Sequence, residues 1–204
     1  MNVLVAVTLL TRMAAVNAGL TAFTATMHAH VAMKSFPFLS ADLTGTYYHK
    51  EPDKNKVVFT SGLPLVAQQF DKLYAHIESP AQWPQIYDVT TLSDDGKTAH
   101  VKLVPRKHGN VEQIDATVED ANATVVAMRW NYGNGGYAEM TNRYGRVEGY
   151  LLVVSQTGHV QEPGVQLDEH QHIEVSQQHG VDAEEVTRQH RLGLGAEELG
   201  PAGP

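Results

Sequence analysis

The feature that most constrains this chain is an alternation of apolar and polar residues with a period of two, repeated along most of its length. A period of two places successive side chains on opposite faces of a strand, so each run predicts a β-strand with one buried face. The clearest run covers residues 23–34, where the odd residues are apolar from Phe23 to Met33. Further runs predict strands over 41–50, 56–60, 85–92, 97–104, 111–118, 124–132, 137–144 and 150–154.

The links between the later runs are short and rich in Gly, Asn and Asp, as at 94–96, 120–122 and 134–136. Such links join antiparallel neighbours, because parallel strands need long crossover connections. A sheet of seven or more strands twists and must curl, which leaves a concave face to be filled. We therefore expect an α+β fold, a strongly curved antiparallel half-barrel sheet of seven or more strands with helices covering the concave face.

Two segments carry apolar residues at helical spacing. The first predicts an N-terminal helix within residues 1–19, and the second predicts a helix over 65–77. The alternative for 1–19 is the remnant of a secretory signal, with Val16-Asn17-Ala18 as the cleavage site. Arg12 follows the apolar region of this segment, whereas the basic residues of a signal precede that region.

The segment 161–204 has a different composition from the rest of the chain. It contains nine acidic residues against two arginines, a net charge of −7, and it has no Phe, Trp, Tyr or Met. Such a composition buries too little apolar surface to offset the entropy of ordering. The predicted organisation is therefore a domain at 20–160 and an acidic, largely disordered tail at 161–204, whose removal would leave the melting temperature nearly unchanged.

Composition excludes several classes of function. The chain has 15 Lys and Arg against 23 Asp and Glu, a net charge of −8, and this charge repels nucleic acid. It has no cysteine, which excludes disulfides and cysteine-ligated zinc. The longest apolar stretches, such as 150–154, are far shorter than the roughly 20 residues of a membrane-spanning helix.

Particular residues resemble a known family. Gly45, Tyr48, Lys50 and the turn Pro52-Asp53-Lys54 match the passage G-x-x-Y-x-K-x-P-D-K of the LolA-like, outer-membrane lipoprotein-sorting proteins. The segment from Met128 to Gly136, and the pairs Tyr144-Gly145 and Gly149-Tyr150 after it, look like later strands of uncharacterised bacterial relatives in that superfamily. The resemblance covers about residues 10–160.

This resemblance implies a curved half-barrel with an apolar cavity for a lipid or a lipoprotein acyl chain. It implies a protein without catalysis or a cofactor, exported to the periplasm or secreted, with a peripheral encounter with membrane. We expect a non-enzymatic binding or carrier protein for a lipid-like group or another apolar small molecule. The residues expected to line its groove are Phe23, Met27, Val31, Phe59, Met128, Trp130, Tyr132, Met140 and Tyr144. The alternative for this set is ordinary core packing.

Two other functions stay open at this point. Residues 77–83 resemble the helix-to-strand transition of START-like small-ligand binding proteins, which also need a long C-terminal helix. A metal-dependent enzyme would use histidines, of which His28 with His30 and His170 with His172 have H-x-H spacing. Neither pair has an obvious third ligand, so we expect no metal site. The chain lacks a G-x-S-x-G elbow, and the glycines at 133–136 are expected to form a hairpin turn and not a phosphate cradle.

Overall fold

A computed structural model describes residues 3–33, 40–50, 54–60, 79–162 and 165–174. For 3–7, 33, 162 and 165–174 it describes the backbone alone. The helices are α1 (Val3–Ala15) and the short α2 (Trp83–Ile86). The strands are β1 (Ala22–Met33), β2 (Ser40–Lys50), β3 (Lys54–Phe59), β4 (Tyr87–Asp94), β5 (Thr98–Pro105), β6 (Val111–Glu119), β7 (Thr124–Tyr132), β8 (Tyr137–Val147), β9 (Tyr150–Glu162) and β10 (Val165–Glu174).

The strands form one antiparallel sheet in the order β3-β2-β1-β10-β9-β8-β7-β6-β5-β4. Every pair of neighbours is antiparallel, as the short polar turns predicted. In the described part of the chain the sheet is open, with β3 and β4 at its two edges. Among the described strands the meander has a single departure: β3 and β4 follow one another in the chain but lie at opposite edges of the sheet. The last strand, β10, continues the meander from β9 and pairs with β1 on its other side, which joins the two parts of the sheet.

The expected tail at 161–204 is wrong in its first part. β9 continues to Glu162, and Val165–Glu174 forms β10, paired with β1 on one side and with β9 on the other. Charge and polarity do not prevent a strand here, because two neighbours satisfy its backbone groups. Residues 175–204 lie outside the described residues.

The helices differ in how far they match the sequence pattern. α1 lies within the predicted segment 1–19, and Leu9, Leu10 and Met13 on it are buried. α2 occupies the start of the strand that was expected from residue 85, and Pro84 stands in its first turn. The helix expected over 65–77 lies outside the described residues. No helix in the described ranges is long and apolar enough to cross a membrane.

The register places the apolar alternations of all strands on one face of the sheet. One row across it runs Val31, Glu169, Gly158, Met140, Met128, Ala116 and Val101. We call this side the apolar face and the opposite side the polar face. α1 packs on the β4–β8 part of the apolar face, where its three buried residues join Trp83, Val101, Leu103 and Trp130 in the largest core cluster.

Two side-chain anchors fix α1 and the turn after it on the sheet. Arg12 of α1 pairs with Asp120 in the turn between β6 and β7, with 2.6 Å between its Nη1 and the Asp120 Oδ1. Asn17 bonds the backbone of Leu151 at the start of β9. The N-terminal segment is therefore part of the domain's packing, attached at two hairpins of the same sheet.

Candidate functional site

The nine residues predicted to line a groove are distributed over four strands. They belong to β1 (Phe23, Met27, Val31), β3 (Phe59), β7 (Met128, Trp130, Tyr132) and β8 (Met140, Tyr144). The register sets Met128 opposite Met140, so these two methionines are direct cross-strand neighbours. Phe59 is joined to β1 through Gly45, which lies opposite both Phe59 and Met27.

The exposure of these residues divides them into two groups. Met27, Val31, Met128 and Trp130 are buried, with at most 5% of their surface exposed. The other members stay half-buried although they belong to the same face: Phe23, Phe59, Tyr132, Met140 and Tyr144. The buried group belongs to the core, and the half-buried group leaves part of its apolar surface exposed.

Two separate core clusters lie on the apolar face. The larger one lies beneath α1, and half-buried Met140, Tyr132 and Val160 pack against its margin. The smaller one consists of Ala29, Val31 and Leu43, with Ala41 and Phe59 packed against it on β2 and β3. The candidate site is the part of the apolar face between these clusters, from Met140 on β8 to Phe59 on β3.

A polar group inside the candidate site was missed from the sequence. Asn142 is 7% exposed, and it donates a hydrogen bond of 3.0 Å from its Nδ2 to the carbonyl oxygen of Val125. The Tyr144 hydroxyl donates to the same oxygen at 2.9 Å, and Gln156 donates from Nε2 to the Asn142 Oδ1 at 2.9 Å. Burial raises the pKa of Tyr144 to about 12, so this phenol stays a protonated donor near neutral pH. The sequence does contain a signal for this group, because Asn142 stands between Met140 and Tyr144 at the spacing of one strand face.

A second missed group lies at the β1–β3 end of the site. The ring of Tyr47 lies 5.7 Å from that of Phe23, centroid to centroid, and the His49 ring lies 5.1 Å from it. Both partners also bond Asn55 Oδ1, with the Tyr47 hydroxyl at 2.6 Å and the His49 Nδ1 at 2.7 Å. Burial raises the pKa of Tyr47 to about 12. Tyr47 follows Leu43 and Gly45 in the alternation, and this pattern could have placed it on the apolar face.

The polar face carries charged and hydrogen-bonded side chains instead of an apolar surface. On β7, Arg129 lies 3.1 Å from Glu139 and covers the ring of Tyr137 at 3.7 Å from its centroid. Among the side chains that the structure describes, no group of three or more His, Asp or Glu residues is arranged to hold a metal ion. The glycines at 133–136 lie in the link between β7 and β8, where the Gly136 N–H donates to Asn134 Oδ1 at 2.9 Å, as expected for a hairpin turn.

Comparisons with known proteins give fold relatives only. No family model matches the sequence, and no curated protein matches it significantly. Among solved structures, a domain described as an outer membrane lipoprotein-sorting protein from Vibrio parahaemolyticus superposes with a TM-score of 0.68 at 10% identity, over 89% of this chain and 96% of that one. A DUF1329 family protein from Desulfovibrio piger gives a TM-score of 0.64 at 10% identity, over 90% and 98%.

A LolA superfamily protein from Nitrosomonas europaea matches more loosely, with a TM-score of 0.48 at 7% identity over 85% of this chain and 94% of that one. The first two matches extend over nearly the whole of both chains, so the likeness concerns the entire fold. The chain has a LolA-like fold.

Proposed function

We propose that this protein is a non-enzymatic carrier or binding protein that holds a lipid-like group or a lipoprotein acyl chain against the apolar face of its sheet. The observation that carries the proposal is the half-buried state of Phe23, Phe59 and Met140 on the same face as the buried Met27, Val31, Met128 and Trp130. Apolar surface that the described fold leaves partly open on its core side is suited to an apolar ligand.

The chemistry of the half-buried residues fits a flexible chain. Methionine and aromatic side chains adapt their shape to apolar groups of variable conformation. Each methylene removed from water contributes about 0.8 kcal/mol, so an acyl chain needs only part of its length in the groove to bind. Polar groups at both ends of the region, Asn142 with Gln156 and Tyr47 with Asn55, would meet the ester or amide end of such a ligand.

The proposal includes features of shape and location. We propose that the sheet is strongly curved and that the ligand lies between the part covered by α1 and the part formed by β1–β3. The fold relative described as a lipoprotein-sorting protein supports an acylated cargo and a periplasmic location. Delivery would involve a peripheral encounter with a membrane or an acylated protein and no chemical step.

The structure offers less support for the other two functions. A START-like protein needs a long helix after the strands, whereas residues 165–174 continue the sheet as β10. A hydrolytic metal enzyme needs converging ligands beside a pocket, and the described side chains of the apolar face carry none. Neither function has an observation in its favour comparable to the half-buried apolar residues.

The first experiment asks whether an apolar molecule accompanies the fold. Protein purified without detergent is analysed by native mass spectrometry, and the expected result is a population heavier than the chain by the mass of a lipid. Delipidated protein is then titrated with a palmitoylated lipopeptide and with the same peptide lacking the acyl chain. We expect binding of the first only.

Met140 and Met128 provide a matched pair for locating the ligand. They are the same residue type, lie opposite each other on β8 and β7, and differ in exposure. Met140→Ala should weaken lipopeptide binding at least fivefold and cost little stability. Met128→Ala should leave affinity nearly unchanged but lower the unfolding free energy by about 2–5 kcal/mol, the cost of a core truncation. Equal loss of affinity in both variants, or no acyl-dependent binding by the parent protein, would overturn the proposal.

A further inference from the structure

The two H-x-H pairs of the sequence come together in the sheet. The register of β1 with β10 sets His28 opposite His172 and His30 opposite His170. Directly opposite residues of antiparallel strands have Cβ atoms about 4.5–5.5 Å apart, and residues two apart on one strand share a face. The fold therefore gathers four histidine positions from distant parts of the sequence into one patch.

This patch lies on the polar face, away from the apolar site. His28 and His30 are exposed and alternate with the buried Met27 and Ala29 of β1. The side chain of His30 is 52% exposed, so its ring is accessible from solvent. An ion could reach these rings without any rearrangement of the core.

Side chains of β2 orient both rings in the same way. The His30 Nδ1 lies 2.6 Å from Asp42 Oδ1, and the His28 Nδ1 lies 3.1 Å from Thr44 Oγ1. Asp42 and Thr44 are the β2 residues directly opposite these histidines. A ligating histidine commonly bonds a carboxylate or another oxygen through one ring nitrogen, which directs the other nitrogen to the metal. Here that other atom is Nε2 of each ring.

We propose that the patch formed by the register positions of His28, His30, His170 and His172 binds one divalent transition-metal ion of the Zn²⁺ type where β1 and β10 meet, with Asp42 as a positioning residue for His30. Imidazole nitrogen is the ligand that Zn²⁺, Ni²⁺ and Cu²⁺ share, whereas Mg²⁺ prefers oxygen. The net charge of −8 attracts cations in general. The site does not depend on the proposed carrier function, because it uses the opposite face of the sheet.

The test is a calorimetric titration of the metal-free, full-length protein with Zn²⁺ alone, and with Mg²⁺ for comparison. The expected result is one equivalent of Zn²⁺ bound and no Mg²⁺ bound. The double variants His28→Gln/His30→Gln and His170→Gln/His172→Gln should each weaken Zn²⁺ binding by well over tenfold, because each removes two of the four imidazoles of the patch. Asp42→Asn should weaken it by about 10- to 100-fold, as outer-shell changes do.

His100 supplies the matched control. It is an exposed histidine on β5, with Thr117 Oγ1 3.3 Å from its Nδ1, and thus resembles His28 in its setting. His100→Gln should bind Zn²⁺ like the parent protein. Parent-like affinity in the His170→Gln/His172→Gln variant, or an equal loss in His100→Gln, would overturn the cross-strand site.

A second readout separates binding from damage to the fold. Zn²⁺ should raise the melting temperature of the parent protein and of His100→Gln, and a chelator should reverse this rise, because an ion bound only to the native state stabilises it. The melting temperature of either double variant should not change on addition of Zn²⁺. If a double variant loses its circular dichroism spectrum without metal, the single variants His30→Gln and His170→Gln provide the same comparison. A parent melting temperature insensitive to Zn²⁺ would contradict the proposal.

Discussion

Asn17 and Leu151 exchange two hydrogen bonds, although they are distant in sequence. The Asn17 Nδ2 donates to the carbonyl oxygen of Leu151 at 3.0 Å, and the Leu151 N–H donates to the Asn17 Oδ1 at 2.9 Å. The amide side chain thus replaces a peptide group of a neighbouring strand. It fixes the turn after α1 to the first residues of β9.

The first prediction concerns this pair. Asn17→Ala should lower the unfolding free energy by about 1–3 kcal/mol, because two partly buried backbone groups of Leu151 lose their partners. Asn17→Asp should have an unfolding free energy between those of the parent protein and Asn17→Ala, since a carboxylate keeps the hydrogen-bond acceptor and loses the donor. Urea unfolding followed by circular dichroism measures both. A loss below about 0.5 kcal/mol for Asn17→Ala would show that water replaces the side chain without cost.

The second prediction concerns Gly45, where β2 and β3 approach closely. A Cβ atom built at Gly45 would lie 2.8 Å from the carbonyl oxygen of Val58 and 3.1 Å from Cδ1 of Phe59. Gly45→Ala should therefore cost about 1–3 kcal/mol, the range for overpacking. Gly109→Ala is the control, because nothing lies within 4 Å of its Cβ position. We expect a change within about 0.5 kcal/mol there, and equal costs at both positions would refute the role of close approach.

The third prediction is a loss of stability at high pH. Burial raises the pKa of Tyr144 from 10.0 to about 12. Since the folded-state pKa is raised, the contribution to stability is complete below about pH 10, where the unfolded phenol ionises, and disappears as the pH rises toward 12. The contribution is roughly 2–3 kcal/mol.

Tyr144→Phe tests this dependence. The variant should lose about 1 kcal/mol near neutral pH, because the bond to the Val125 carbonyl is removed. It should also lose less additional stability between pH 10 and 12 than the parent protein does. Tyr47 has a similarly raised pKa and still contributes to the loss of stability between pH 10 and 12 in this variant. In the double variant Tyr47→Phe/Tyr144→Phe the unfolding free energy should therefore depend still less on pH over this range. If the double variant loses as much stability between pH 10 and 12 as the parent protein, these two tyrosines are not the cause of the loss.

The fourth prediction compares two truncations. Ending the chain after residue 160 removes β10 and the end of β9, and leaves the facing edges of β1 and β9 unpaired. This truncation should abolish cooperative unfolding or lower the melting temperature by far more than 8 °C. Ending the chain after Glu174 should change the melting temperature little, because residues 175–204 contain few apolar residues. Equal effects of the two truncations would show that β10 contributes nothing beyond the segment after it.

The meander was predictable because its signals are local. Asp95 illustrates this: its side chain accepts the N–H groups of Lys97 and Thr98 at 2.9 and 2.7 Å and closes the turn between β4 and β5. Such turn chemistry can be read from a few adjacent residues. The strands from β4 to β8 were therefore found with bounds within three residues of those observed, whereas β9 continues eight residues past the predicted end at 154.

The place of β10 was not predictable in the same way. Val165, Leu167 and Ile173 do alternate, but Glu169 and Gln171 interrupt the apolar series, and the high charge suggested a tail. β10 pairs with β9, which directly precedes it, and with β1, which is formed by a distant segment of the chain. The polar pair of the candidate site, Asn142 and Gln156, was missed because the last predicted strand ended at residue 154, whereas the observed β8–β9 register continues past Gln156.

The insertion of β10 also orders events during synthesis. A ribosome releases β1 to β9 before the strand that joins them, so the nascent chain carries two incomplete sheets, β1–β3 and β4–β9. Each has an edge that awaits the same partner, and an unpaired edge is a template for pairing with other chains. The two parts of the sheet can therefore join only after translation has passed residue 174. Until then, the unpaired edges of β1 and β9 must be kept from pairing with strands of other chains.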